Sequence, residues 1–118
     1  MTLPTFDQRG DWHYPVCRYV LTVTVPKPGT NAETDLALNM KITQVHFVTP
    51  ALDLEDTAEL ILLDADNRVI AASGEKAESA THQLDVHESV CGVVTFRVEC
   101  SAQQDDNACV FTIYVYGT

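Results

Sequence analysis

Four histidines, four cysteines and a surplus of acids are the groups in this sequence that could do chemistry. His13, His46, His82 and His87 form neither an H-x-H pair nor the H-E-x-x-H pattern that puts two zinc ligands on one helical face. His82 and His87 are five apart, so on a strand they point to opposite sides and cannot share a metal ion without a bend. Asp64-Ala65-Asp66-Asn67 opens like a calcium loop, but the position that needs glycine for the sharp turn is Val69. A reverse turn accounts for it, because Asp and Asn side chains close local hydrogen bonds to the backbone and tolerate left-handed geometry. Asp53, Glu55 and Asp56 read as a solvated acidic connection.

The cysteines stand at 17, 91, 100 and 109, with no C-x-x-C spacing for a zinc ribbon or a redox pair. Three of them fall where strand alternation points inward, which suits small buried hydrophobes. The alternative is a disulfide between Cys100 and Cys109 across the mouth of a hairpin; four cysteines allow three pairings and spacing does not choose among them. No G-x-S-x-G elbow is present, and the five glycines are isolated rather than gathered in a phosphate loop. The sequence thus names no catalytic residue, metal ligand or cofactor, and a non-enzymatic protein is expected.

The elements that would position any site are strands. Cys17 to Val25 alternates cleanly, with Cys17, Tyr19, Leu21, Val23 and Val25 on one face, and Pro26 and Pro28 close it. Thr30 to Asp35 reads as a polar loop. Over Leu36 to Thr49 the apolar set runs Leu36, Leu38, Met40, Ile42, then slips one residue to Val45 and Phe47; a slip of one flips every side chain, so a β-bulge or break is expected near Thr43. Ala51 to Asp56 is a short connection able to hold one helical turn. Ala58–Leu63 and Arg68–Ala72 are strands joined by the Asp64–Asn67 turn. Thr81–His87 is a short strand, and Val93–Cys100 with Cys109–Tyr116 reads as a hairpin with a long loop. Helical periodicity is absent almost everywhere. The class is all-β, a β-sandwich or jelly roll of about seven to eight antiparallel strands. Residues 1–15 form an N-terminal extended arm, and residues 16–118 the sandwich domain.

Seventeen acidic against seven basic residues give a net charge of −10. Nucleic-acid binding depends on Lys and Arg neutralising phosphates, so a nucleic-acid partner is not expected, nor is an anionic membrane. No apolar run approaches the ~20 residues that span a bilayer, and the first residues lack the basic and apolar regions of a secretory signal, which suggests synthesis in the cytoplasm. The arm carries Phe6, Trp12 and Tyr14. Aromatic anchors dominate interface energy, so these three are candidate docking residues for a partner; equally, the arm could cover an edge of its own sandwich.

Three stretches, Thr43-Gln-Val-His-Phe-Val-Thr-Pro-Ala-Leu52, Ala58-Glu-Leu-Ile-Leu-Leu-Asp-Ala-Asp-Asn67 and Val110-Phe-Thr-Ile-Tyr-Val-Tyr-Gly117, together with the strand spacing over residues 36–117, resemble small structural proteins of tailed bacteriophages. The resemblance implies a virion component made in the host cytoplasm, a capsid decoration or cement protein. It implies a homotrimer that contacts the major capsid protein or other virion proteins. Alternatives are, within the same virion setting, a tail, neck or baseplate component and, in another class, a β-sandwich module that binds carbohydrate or cell surfaces.

Overall fold

The computed structural model describes residues 5–6, 12–13, 17–53 and 56–118. Two short strands, β1 (Thr5–Phe6) and β2 (Trp12–His13), pair with each other in antiparallel fashion and belong to no larger sheet. The remaining six are β3 (Cys17–Val25), β4 (Gly29–Val48), β5 (Ala58–Leu63), β6 (Val69–Ala72), β7 (Thr81–Gln104) and β8 (Cys109–Gly117). They form one antiparallel sheet in the order β3-β8-β4-β7-β5-β6.

This single sheet makes two layers because its two central strands are long. β4 has 20 residues and β7 has 24, and they pair with each other along nearly their whole length. The second half of β4 and the start of β7 extend into β8 and then β3, whereas the first half of β4 and the end of β7 extend into β5 and then β6. Between the halves, the register of β4 shifts at Ile42/Gln44, at the place where the apolar phase slips in the sequence. The extra residue, Thr43, satisfies its hydroxyl by donating to the Tyr116 carbonyl at 3.2 Å. The apolar faces of both halves bury into one core. One half supplies Val23, Phe47, Phe111 and Ile113, the other Leu60, Leu62, Phe96 and Val98, all at 1% exposure or less. Phe47 and Phe111 stack with ring centroids 5.6 Å apart.

Three connections differ from the sequence expectation. Thr30–Asp35 is strand rather than loop, because its polar residues find cross-strand partners: Arg97 bridges Glu33 at 3.1 Å, and the Thr95 hydroxyl donates to Asp35 at 2.8 Å. The segments expected as two strands, 81–87 and 93–100, are one strand, which bends through Gly92 at φ 127°, a backbone state open to glycine. β8 is not the hairpin partner of β7. The end of β7 already pairs with β4 on one edge and β5 on the other, so β8 crosses to pair with β3 and β4. Among the described residues there is no helix; in the 51–56 connection the Asp56 N–H donates to the Asp53 carbonyl at 3.1 Å.

Candidate functional site

The strongest concentration of polar contacts ties two loops together. Gln104 ends β7 fully buried, and its Nε2 donates to Asp56 Oδ2 at 2.9 Å and to the Ala102 carbonyl at 3.0 Å. Its Oε1 accepts the Asp53 backbone N–H at 2.9 Å and, weakly, the Cys109 thiol at 3.7 Å. Asp53 in turn accepts the backbone N–H groups of Asp105 and Asp106 at 2.6 and 3.3 Å. The Asp53 carboxylate holds loop backbone and the Asp56 carboxylate holds the Gln104 amide, so this is a structural staple between the 51–56 and 101–108 connections.

Neither Cys100 nor Cys109 is activated as a nucleophile. All four are free thiols, so Cys100 and Cys109 stand unbridged on β7 and β8, strands that are not sheet neighbours. Burial pushes the Cys100 thiol up to about 11, aided by the nearby Cys109, Asp56 and Asp53. Burial, then Asp53, raises Cys109 likewise. A thiol is a nucleophile as thiolate, and both sites oppose that form. The Asp64–Asn67 turn forms as expected. Asp64 Oδ1 accepts the N–H groups of Asp66 and Arg68, each at 2.9 Å, and Asn67 sits at φ 61°. The Arg68 N–H foremost holds the Asp64 carboxyl below its usual value. Beside this turn lies a recess of about 240 Å³ walled by Asp64, Asp66, Ile70 and the β7 segment from Glu88 to Val94. Among the described residues no three His, Cys, Asp or Glu side chains gather in metal-binding geometry.

The arm residues divide. Phe6 and Trp12 are cross-strand partners in the β1–β2 pair, and Tyr14 lies outside the described residues.

A better site candidate is the outer face of the layer formed by β3, β8 and the second half of β4. The inward residues of these strands are Val23, Phe111, Ile113, Val115, Val45 and Phe47. The opposite parity therefore faces out. Register places Arg18, Tyr116 and Gln44 in one cross-strand row, extended by Asp85 of β7. The next row is Val20, Tyr114 and His46, extended by Gln83. Two pairs of side chains hold this surface in place. The His46 and Tyr116 rings lie 4.8 Å apart at 53°, and the Arg18 guanidinium lies 5.6 Å from the centre of the Tyr114 ring. His46 Nε2 is shielded from solvent and has no hydrogen-bond partner.

No family model matches this chain, and no curated protein does. Solved structures do match. The carbohydrate-binding module TmCBM61, in complex with β-1,4-galactotriose, matches with a TM-score of 0.54 at 11% identity, over 96% of this chain and 75% of that one. The fold is that of a β-sandwich. The Yersinia pseudotuberculosis-derived mitogen matches at a TM-score of 0.45 and 10% identity, covering 88% of this chain and 86% of that one. The VP2 subviral particle of infectious bursal disease virus matches at 0.36 and 8%, covering 98% and 37%. At such identities the first likeness speaks for the fold alone.

Sequence reasoning missed the outer-face group because it searched for titratable clusters. The signal was present as Tyr114-x-Tyr116 on the last strand: aromatic residues two apart share a face, and that face is opposite to the apolar set of Phe111, Ile113 and Val115.

Proposed function

We propose that this chain is a non-enzymatic structural protein of a tailed-phage virion, one that decorates the capsid and stabilises it. The observation that carries the reading is mechanical. A cement protein must pass load between the subunits it bridges, and here β4 and β7 run unbroken through both layers, so the layers cannot shear apart without breaking the central strand pairing. The loop ends are locked as well, by the Gln104 staple. The acidic balance suits a surface that stays soluble when many copies crowd one shell. The likeness of three stretches to phage structural proteins supplies the setting.

The mechanism is mass action: a protein that binds the assembled shell and not its free subunits favours the shell. The partner is the major capsid protein or another virion protein, and the docking residues are Phe6, Trp12 and Tyr14 of the arm, acting in a homotrimer. Mass spectrometry of purified virions tests this reading. Presence at a copy number matching the shell's threefold positions supports it, and a few copies per particle would assign the chain to the tail, neck or baseplate. Absence from virions sinks both. A chain lacking residues 1–15 should keep its sandwich core and lose its grip on capsids.

A further inference from the structure

We propose that the outer face of β3, β8 and the second half of β4 is a binding surface for a neutral saccharide chain, with Tyr114 and Tyr116 as the stacking groups. The surface is set apart first by charge. The chain carries seventeen acidic residues, yet the two rows built around these tyrosines contain one acid, Asp85, at one end and one base, Arg18, at the other. An anionic ligand such as a nucleic-acid backbone would need several cations there, and a cationic one several acids. What fits is a ligand without net charge.

Its chemistry is set by the side chains. Tyr114 and Tyr116 stand about 7 Å apart along β8, the spacing of alternate residues on a strand, and His46 lies one strand away at about 5 Å. Around these rings stand Gln44, Gln83 and Arg18. An amide both donates and accepts, and a guanidinium donates in a fixed fork. A sugar ring matches such a surface: its C–H face packs on an aromatic ring, while its rim of hydroxyls needs donors and acceptors together. A protein partner would want a contiguous apolar centre. Here Val20 and Val110, each about half exposed, are separated by Thr22, Thr24 and Thr112. The pairing of Arg18 with Tyr114 and of His46 with Tyr116 holds both rings before a ligand arrives, which lowers the ordering cost of binding. His46 Nε2 adds a polar atom on this face that is shielded from solvent and has no hydrogen-bond partner.

This inference is independent of the virion reading. A shallow open face predicts affinity of about millimolar for one chain, raised by avidity wherever many copies are displayed together. The test is a two-dimensional amide NMR titration of the full-length protein with neutral cello-, xylo- and galacto-oligosaccharides of three to six units. The expected result is shift changes confined to β3, β8, the second half of β4 and the adjoining start of β7 for at least one of these sugars. Tyr114→Ala and Tyr116→Ala should each weaken that binding by about tenfold or more, while Tyr116→Phe keeps most of it and Val69→Ala, outside this face, keeps all. The spectra themselves report whether each variant is folded. No shifts with any sugar, shifts that map elsewhere, or binding indifferent to both alanine variants would overturn the proposal. So would self-association through this face, seen as a sedimentation change that Tyr114→Ala abolishes, since a second copy would then be the occupant.

Discussion

Replacing Gln104 by alanine should unfold the chain more easily than any other single polar truncation among the described residues. The side chain is fully buried and makes three hydrogen bonds of 2.9–3.0 Å, one of them to a carboxylate. Q104A strands the Asp53 N–H and the Ala102 carbonyl, while Asp56 can turn to water. A buried donor or acceptor left unmade costs about 1–3 kcal/mol, and the void left by the missing amide adds about 1. The total, about 3 kcal/mol, is a large share of the 5–15 typical of a domain and corresponds to a melting temperature lower by roughly 10 °C. Q104E separates hydrogen bonding from packing, since it keeps the volume. At neutral pH its new carboxylate replaces the donor to Asp56 and faces a like charge, so Q104E should be at least as unstable as Q104A. The new carboxyl has a folded pKa raised above the ordinary glutamate value of about 4.3. Its contribution is therefore fully present below that value and is lost as pH rises through the raised one, so Q104E should recover stability on mild acidification where Q104A does not. Urea unfolding at pH 7.5 and 5 measures both. A Q104A loss below about 0.5 kcal/mol, or a Q104E loss independent of pH, would refute the staple.

Two further outcomes follow from the close packing and the thiols. Gly117 is buried against β4, and a β-carbon there would overlap the Lys41 carbonyl oxygen and the Met40 methyl group, where Lys41 and Thr118 also exchange two 3.0 Å backbone bonds; Gly117→Ala should cost about 1–3 kcal/mol by urea unfolding, and an unchanged midpoint would contradict that packing. Iodoacetamide at pH 8 should label exposed Cys91 first and leave Cys100 and Cys109 nearly untouched, since a thiol at about 11 is roughly one part in a thousand thiolate at that pH; tryptic mass spectrometry reads the order, and equal labelling of Cys100 and Cys91 would remove the burial argument.

Much of the fold was legible because burial imposes a period of two. Cys17–Val25 and Ala58–Leu63 have the bounds that alternation and proline give them. The Asp64–Asn67 turn follows from side-chain chemistry that needs only neighbours. Local pattern failed where partners are distant. Thr30–Asp35 looks like a loop until Arg97 and Thr95, some sixty residues on, supply its cross-strand contacts. The β7–β8 hairpin was the natural inference from adjacency. It fails because strand pairing depends on which edges are already taken, and that is a property of the whole sheet. The candidate face was half legible: Tyr114 and Tyr116 share a parity in sequence, but their alignment with Arg18 and His46 depends on registers that sequence does not state.

The bulge at Thr43 links the fold to that face. Ahead of it the even residues Leu38, Met40 and Ile42 point into the core; after it the odd residues Val45 and Phe47 do. The same slip that lets β4 pass from one layer to the other, still feeding apolar side chains to a shared core, turns His46 outward beside Tyr114 and Tyr116. Thr43 then fixes its neighbour directly, through its hydroxyl on the Tyr116 carbonyl. Had β4 kept one phase, His46 would lie in the core, where a histidine costs far more to bury than Phe47, and the outer face would carry Val45 in its place. One inserted residue thus does two things at once, closing the sandwich and assembling the polar-aromatic surface, so removing it should damage the site and the core together.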